Sequence, residues 1–108
     1  MIYESRVYHC VPGRLPALLK RFETVTLKLF EKHGIRPVGF FTTLIGESNQ
    51  ELTYFLAWES LAERESRWTA FATDPEWLAA RAKSEEDGQI VANIVSQLLT
   101  PTVFSAMR

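Results

Sequence analysis

Cysteine is nearly absent: Cys10 is the one thiol in 108 residues. A disulfide within the chain is therefore excluded, and a lone sulfur builds no redox or thiolate-metal motif. Such usage suits a reducing compartment, and the expected location is cytoplasmic. Long apolar runs are missing too. None approaches the roughly 20 residues that a membrane-spanning helix needs, and "MIYESRVYHC" carries neither a basic leader nor an apolar signal core. No membrane partner is expected. Charge of one sign is not in excess: 12 Lys and Arg stand against 13 Asp and Glu, and the basic residues are spread along the chain. Without a basic patch there is no electrostatic footprint for nucleic acid. Glycine is scarce, at 5 residues, and "PGRLP" lacks the glycines, lysine and hydroxyl of a phosphate loop. No His, Cys or carboxylate cluster has metal-ligand spacing, so neither a metal nor another cofactor is expected.

What is there is apolar and aromatic. At 46% hydrophobic and 12% aromatic residues, the chain has the material for one globular domain spanning residues 1–108. "IYESRVYHCV" (2–11) reads as a strand stopped by "PG". From 14 to 32, Leu15, Leu18, Leu19, Phe22, Val25, Leu29 and Phe30 recur at spacings of three and four, with Gly34 in place as a left-handed cap. A long amphipathic helix follows from that pattern. Residues 36–45 and 51–58 read as a hairpin around "GESNQ". Ser60 with Glu63 forms a capping-box pattern for a helix over 60–74, and "DPEW" starts a further short helix that Gly88 ends. The β-branched segment 89–107 reads as a last strand with a ragged start.

The order β-α-β-β-α-β is the ferredoxin-like α+β arrangement, an antiparallel sheet with its helices on one face. With a turn at 46–51, Ile45 would oppose Leu52. Phe41, Thr43, Ile45, Leu52, Tyr54, Leu56 and Trp58 would then share one face, and Phe40, Thr42, Leu44, Thr53, Phe55 and Ala57 the other. Both faces carry large apolar groups, and the helices cover only one. A second copy packed sheet to sheet about a two-fold axis is the economical cover. The alternative is a monomer whose C-terminal segment folds over the face.

Several stretches, in order, carry a family likeness: "YESRVYHCVPG", "HGIRPVGFFTTLIGESNQ", "WESLAERESRW" with "DPEW", and "LLTPTVFSAM". Together they span nearly the whole chain, which resembles the NIPSNAP family. The resemblance implies a dimeric α+β barrel, a homodimer whose two sheets face each other. It implies no reaction. Relatives in the wider superfamily include cofactor-independent monooxygenases, haem-degrading enzymes and small proteins without a known reaction.

Candidate site residues come from faces and residue types. Glu4, Arg6 and Tyr8 share one face of the first strand by its period of two, with Tyr3, Val7 and His9 on the other. Arg6 and Tyr8 suit the anchoring of an anionic or oxygen-bearing ligand; equally, a Glu4–Arg6 pair suits the fixing of register or of a dimer contact. His9 is the best acid-base candidate by type, with Tyr8 second. Cys10 alternates away from it, so no Cys-His pair forms. His33 is placed to meet free helix-end carbonyls. Trp58, Trp68 and Trp77, with Phe71 and Tyr54, suggest either an aromatic pocket for a planar organic or haem-like ring, its polar end held by Arg64 or Arg67, or simply core. The function expected is binding of a small organic molecule between sheet and helices. The alternative is a cofactor-independent monooxygenase acting on an aromatic or phenolic substrate, and a pure interaction module is the third reading.

Overall fold

The computed structural model describes residues 1–108. The first strand, β1, is Ile2–Cys10. Helix α1 follows as Leu15–Arg21, a π-helical turn over Phe22–Thr26, and Leu27–Lys32. Then come β2 (Arg36–Thr42), β3 (Glu51–Trp58), α2 (Leu61–Ala72), α3 (Pro75–Ser84) and β4 (Val91–Leu99). The strands form one antiparallel sheet in the order β2-β3-β1-β4. This is the ferredoxin-like α+β fold, in which α1 carries the chain from β1 across to β2 and leaves a gap that β3 fills.

Local chemistry sets the element ends. Gly34 adopts φ +70° where α1 stops, a region that a side chain disfavours. The Ser60 hydroxyl accepts the Glu63 N–H at 3.1 Å, and the Asp74 carboxylate accepts the Glu76 N–H at 2.8 Å, capping α2 and α3. Pro101 follows β4 and removes a ladder donor, so the extended segment is shorter than 89–107.

One face of the sheet packs on the helices. Leu18, Phe22, Leu29 and Phe30 of α1 meet Leu52, Tyr54, Leu56 and Trp58 of β3, with Phe71 of α2 closing the cluster. Burying each such large side chain stabilises the fold by about 1.5–3 kcal/mol. β1 puts Glu4, Arg6, Tyr8 and Cys10 into the same layer, as its period of two requires. α3 buries none of its own residues. It is held at its ends, by Trp77 with its ring centroid 4.8 Å from that of Phe71 and by Arg21 reaching Ser84 and Glu85.

The hairpin register differs from the expectation by three residues, which reverses its parity: Leu52 opposes Thr42, not Ile45. β2 ends at Thr42, and the pairs are Phe40 with Tyr54, Phe41 with Thr53, and Thr42 with Leu52. Phe40 therefore joins Tyr54 in the helix-side layer, and Phe41 lies on the open face near Phe55. The cause is a bulge in β2: the register shifts between Pro37 and Gly39, and the one extra residue brings Phe40, not Phe41, to the face of Tyr54. The start of β3 is held separately by Gln50, whose side-chain carbonyl accepts the N–H groups of Gly13 and Leu15 at 3.1 Å each and whose backbone carbonyl accepts that of Cys10 at 2.9 Å. So anchored, β3 begins beside β1, and residues 43–50 become a loop whose Leu44 and Ile45 are 95% exposed.

The open face carries Tyr3, Val7, Phe41, Phe55, Val95 and Leu99. The segment after β4 reaches one end of it, where Met107 shares a shallow recess with Tyr3 and Phe55. Phe41 and Val95 remain exposed. No helix is long and apolar enough to cross a membrane.

Candidate ligand cavity

The site begins with a buried carboxylate. Glu4 has no exposed surface. Arg6 Nη1 donates to it at 2.9 Å, Arg64 at 2.8 and 3.1 Å, and the Trp58 indole N–H at 3.0 Å. Burial pushes the Glu4 carboxyl up, but the bonds and charges of Arg64 and Arg6 outweigh it and hold the pKa below the ordinary value. A charge removed from water persists only when paired in this way.

Arg6 carries the network toward the cavity. Its Nε donates to the Tyr54 hydroxyl at 2.9 Å and its Nη2 to the Tyr8 hydroxyl at 3.3 Å, and the two hydroxyls lie 2.8 Å apart. Burial, and then the neighbouring Tyr8, raise the Tyr54 hydroxyl well above its usual pKa, so it stays protonated. The Arg6 guanidinium stacks 4.3 Å from the Trp68 ring centroid.

Beyond this network a cavity of about 540 Å³ lies between the sheet and the helices, within the usual range for small-molecule sites. β1 supplies Arg6 and Tyr8, α1 Arg21, α2 Trp68, and α3 Trp77 and Arg81. Arg6, Tyr8 and Trp68 are thus brought together as the sequence suggested. Trp58 and Arg64 are not part of the lining. Both turn to Glu4, Trp58 with no exposed surface, and their role is to satisfy the buried carboxylate. The Glu4–Arg6 pair exists, but it faces the helices, so it is no contact of the open sheet face.

His9 lies on the open face, its Nδ1 3.1 Å from Glu51, with the sheet between it and the cavity. His33 does not cap free carbonyls. Its Nε2 lies 2.7 Å from Asp74 Oδ2, which also accepts from Lys32 at 2.9 Å. Cys10 is buried on the helix side, where desolvation raises its thiol pKa despite Arg21 nearby. No group of three or more His, Cys, Asp or Glu side chains is placed to hold a metal.

Trp77 joins Trp68 in the lining, as the aromatic-pocket reading expects, but two charged cavity residues were not legible in advance, Arg21 and Arg81. Arg21 did leave a signal, since it interrupts the apolar stripe of α1 three residues after Leu18 and four before Val25. A charge at such a position faces inward. It is buried, and its Nε has no hydrogen-bond partner.

A four-stranded antiparallel sheet in the order β2-β3-β1-β4, with its helices on one face and a cavity beneath them, defines an α+β protein of the ferredoxin-like fold. The sequence pattern of the NIPSNAP family matches residues 3–106, and the chain belongs to that family. A NIPSNAP family protein with unknown function from Agrobacterium tumefaciens shares 30% identity over 100% of this chain and 94% of its own, with a TM-score of 0.86. An uncharacterised NIPSNAP domain protein from Burkholderia xenovorans shares 24% identity over 97% of this chain and 98% of its own, at a TM-score of 0.83. A putative antibiotic biosynthesis monooxygenase from Nitrosomonas europaea is similar in fold alone, at 8% identity and a TM-score of 0.63 over 94% of this chain and 98% of its own. No protein with a curated description matches the chain significantly.

Proposed function

We propose that this protein is a cytoplasmic homodimer that binds a small organic molecule in the helix-side cavity of each protomer. The observation that carries the reading is the cavity lining: Arg6 and Tyr8, held by Glu4 and Tyr54, beside the indoles of Trp68 and Trp77. Apolar walls with a few fixed polar groups are what a ligand site requires. The dimer reading is supported by the open sheet face. Across β1, β3 and β4 that face is charged only at the His9–Glu51 end and is otherwise apolar or neutral, so it suits a copy of itself better than a charged partner.

The oxygenase alternative gains no comparable support. Of its two acid-base candidates Tyr8 lines the cavity, but His9 is on the far side of the sheet, and the monooxygenase likeness is one of fold. The test is a thermal-shift screen of small organic molecules on the wild-type chain and on Ala72→Phe, which narrows the cavity at its rim. The reading expects compounds that raise Tm in the wild type and lose that effect in the variant. Equal shifts in both proteins would remove the cavity as the site.

A further inference from the structure

Three guanidiniums line the cavity against one carboxylate, those of Arg6, Arg21 and Arg81 against Glu85. Arg6 is already satisfied: Glu4 faces it at 2.9 Å, and Tyr54 and Tyr8 accept two more of its N–H groups. Arg21 is not. Its side chain is only 5% exposed, yet its contacts are long, 3.3 Å to the Ser84 hydroxyl and 3.4 Å to Glu85. Its Nε donor is buried with no acceptor, an exception among native buried N–H groups that asks for a partner. Glu85 cannot fill that role alone, because it is shared with Arg81 at 3.7 Å.

The backbone presents Arg21 deliberately. It directly precedes the π-turn of α1, a rare local geometry that occurs often at functional sites, and Arg21 and Phe22 are both turned inward there. The Trp77 ring centroid lies 5.4 Å from the Arg21 guanidinium, while Trp68 and Phe71 supply apolar wall. A phosphate would favour free backbone N–H groups at a helix start, but the first turns of α1 and α2 lie outside the cavity lining, and α3 starts behind the Asp74 carboxylate.

Resting on the cavity as the ligand site, we infer that the ligand is a monocarboxylate with an aromatic or branched apolar body. Its carboxylate pairs with the Arg21 guanidinium beside Trp77, and its body packs on Trp68 and Phe71. A planar guanidinium suits a carboxylate in a way that an ammonium does not.

The test compares acids with their neutral carboxamides on the full chain: phenylacetate, benzoate and 4-methylpentanoate, each against its amide, by melting temperature and calorimetry. At least one acid is expected to bind about tenfold or more tightly than its amide. Arg21→Met should bind that acid and amide alike, and Arg21→Lys should weaken the acid while sparing the amide. If Arg21→Met fails to fold, Arg21→Lys and the wild-type acid-to-amide ratio decide. Amides binding as well as acids would overturn the carboxylate inference and leave the cavity reading standing. Binding by neither series would remove both. Inorganic phosphate outcompeting every acid would overturn the carboxylate in favour of a phosphate ester.

Discussion

Arg64 Nε lies 2.8 Å from Glu4 Oε1, which ties α2 to the centre of the sheet through a carboxylate with no exposed surface. Glu4 also accepts from Arg6, so one buried anion holds two cations. Removing the anion leaves Arg6 buried without its counter-charge, and losses of that kind run to about 3–5 kcal/mol. Glu4→Gln is expected to lose stability on that scale in urea unfolding, whereas Arg64→Met, which leaves Arg6 on Glu4, should lose less. Equal losses would show that Arg64, not Arg6, sustains the carboxylate.

Acid sensitivity follows from Asp74. The hydrogen bonds from Lys32, His33 and the Glu76 amide lower its pKa from the ordinary value of 3.8. A carboxyl depressed by folding adds stability that is fully present above its unfolded pKa, and that stability is lost as the pH falls through the folded value. Thermal melts should therefore show Tm falling below about pH 4. Asp74→Asn keeps a capping oxygen without the charge, so its Tm should be lower near neutrality and its acid limb flatter. An acid limb parallel to that of the wild type would assign the pH dependence to other groups.

Gly34 offers a backbone test. It holds φ +70°, and a Cβ there would stand 2.8 Å from Arg67 Nη1, the atom that donates to its own carbonyl at 2.6 Å. Gly34→Ala is expected to destabilise by about 1–2 kcal/mol from the left-handed backbone alone. Gly13 has φ +85° with nothing near its missing Cβ, so Gly13→Ala should incur the backbone part only. Urea midpoints of the two variants separate strain from crowding.

The open sheet face makes a claim about assembly. Val7 lies near its centre, between Thr53 of β3 and Val95 of β4. Light scattering over a dilution series is expected to give the mass of a dimer for the wild type and of a monomer for Val7→Lys, since a charge there would be buried unpaired. A wild-type monomer at all concentrations would mean that this face has some other cover.

The elements and the grouping of Glu4, Arg6 and Tyr8 on one face of β1 were legible because each rests on local rules: the spacing of Leu18, Phe22, Leu29 and Phe30, the caps at Ser60 and Asp74, and the period of two along a strand; which face meets the helices was not. The hairpin parity was not, because it depends on an extra residue that bulges between Pro37 and Gly39 where β2 pairs with β3, a property of the folded pair and not of either segment alone. The same holds for the site. Arg6, Tyr8 and Trp68 follow from single elements, whereas Arg21 and Trp77 meet across α1 and α3 only after folding. Trp58 and Arg64 have the residue types of a ligand site, yet the demand of the buried Glu4 takes them away from it.

The cavity reading is tested most directly by the three tryptophan indole N–H signals in a nitrogen-resolved NMR spectrum, recorded as a compound that raises Tm is added. Trp68 and Trp77 line the cavity, and Trp58 is bonded to Glu4 away from it. The account expects the Trp68 and Trp77 signals to move with saturation while Trp58 moves least. Saturable binding that leaves both in place, or that shifts the backbone amide signals of Val7 and Val95 on the open-face side instead, would contradict it.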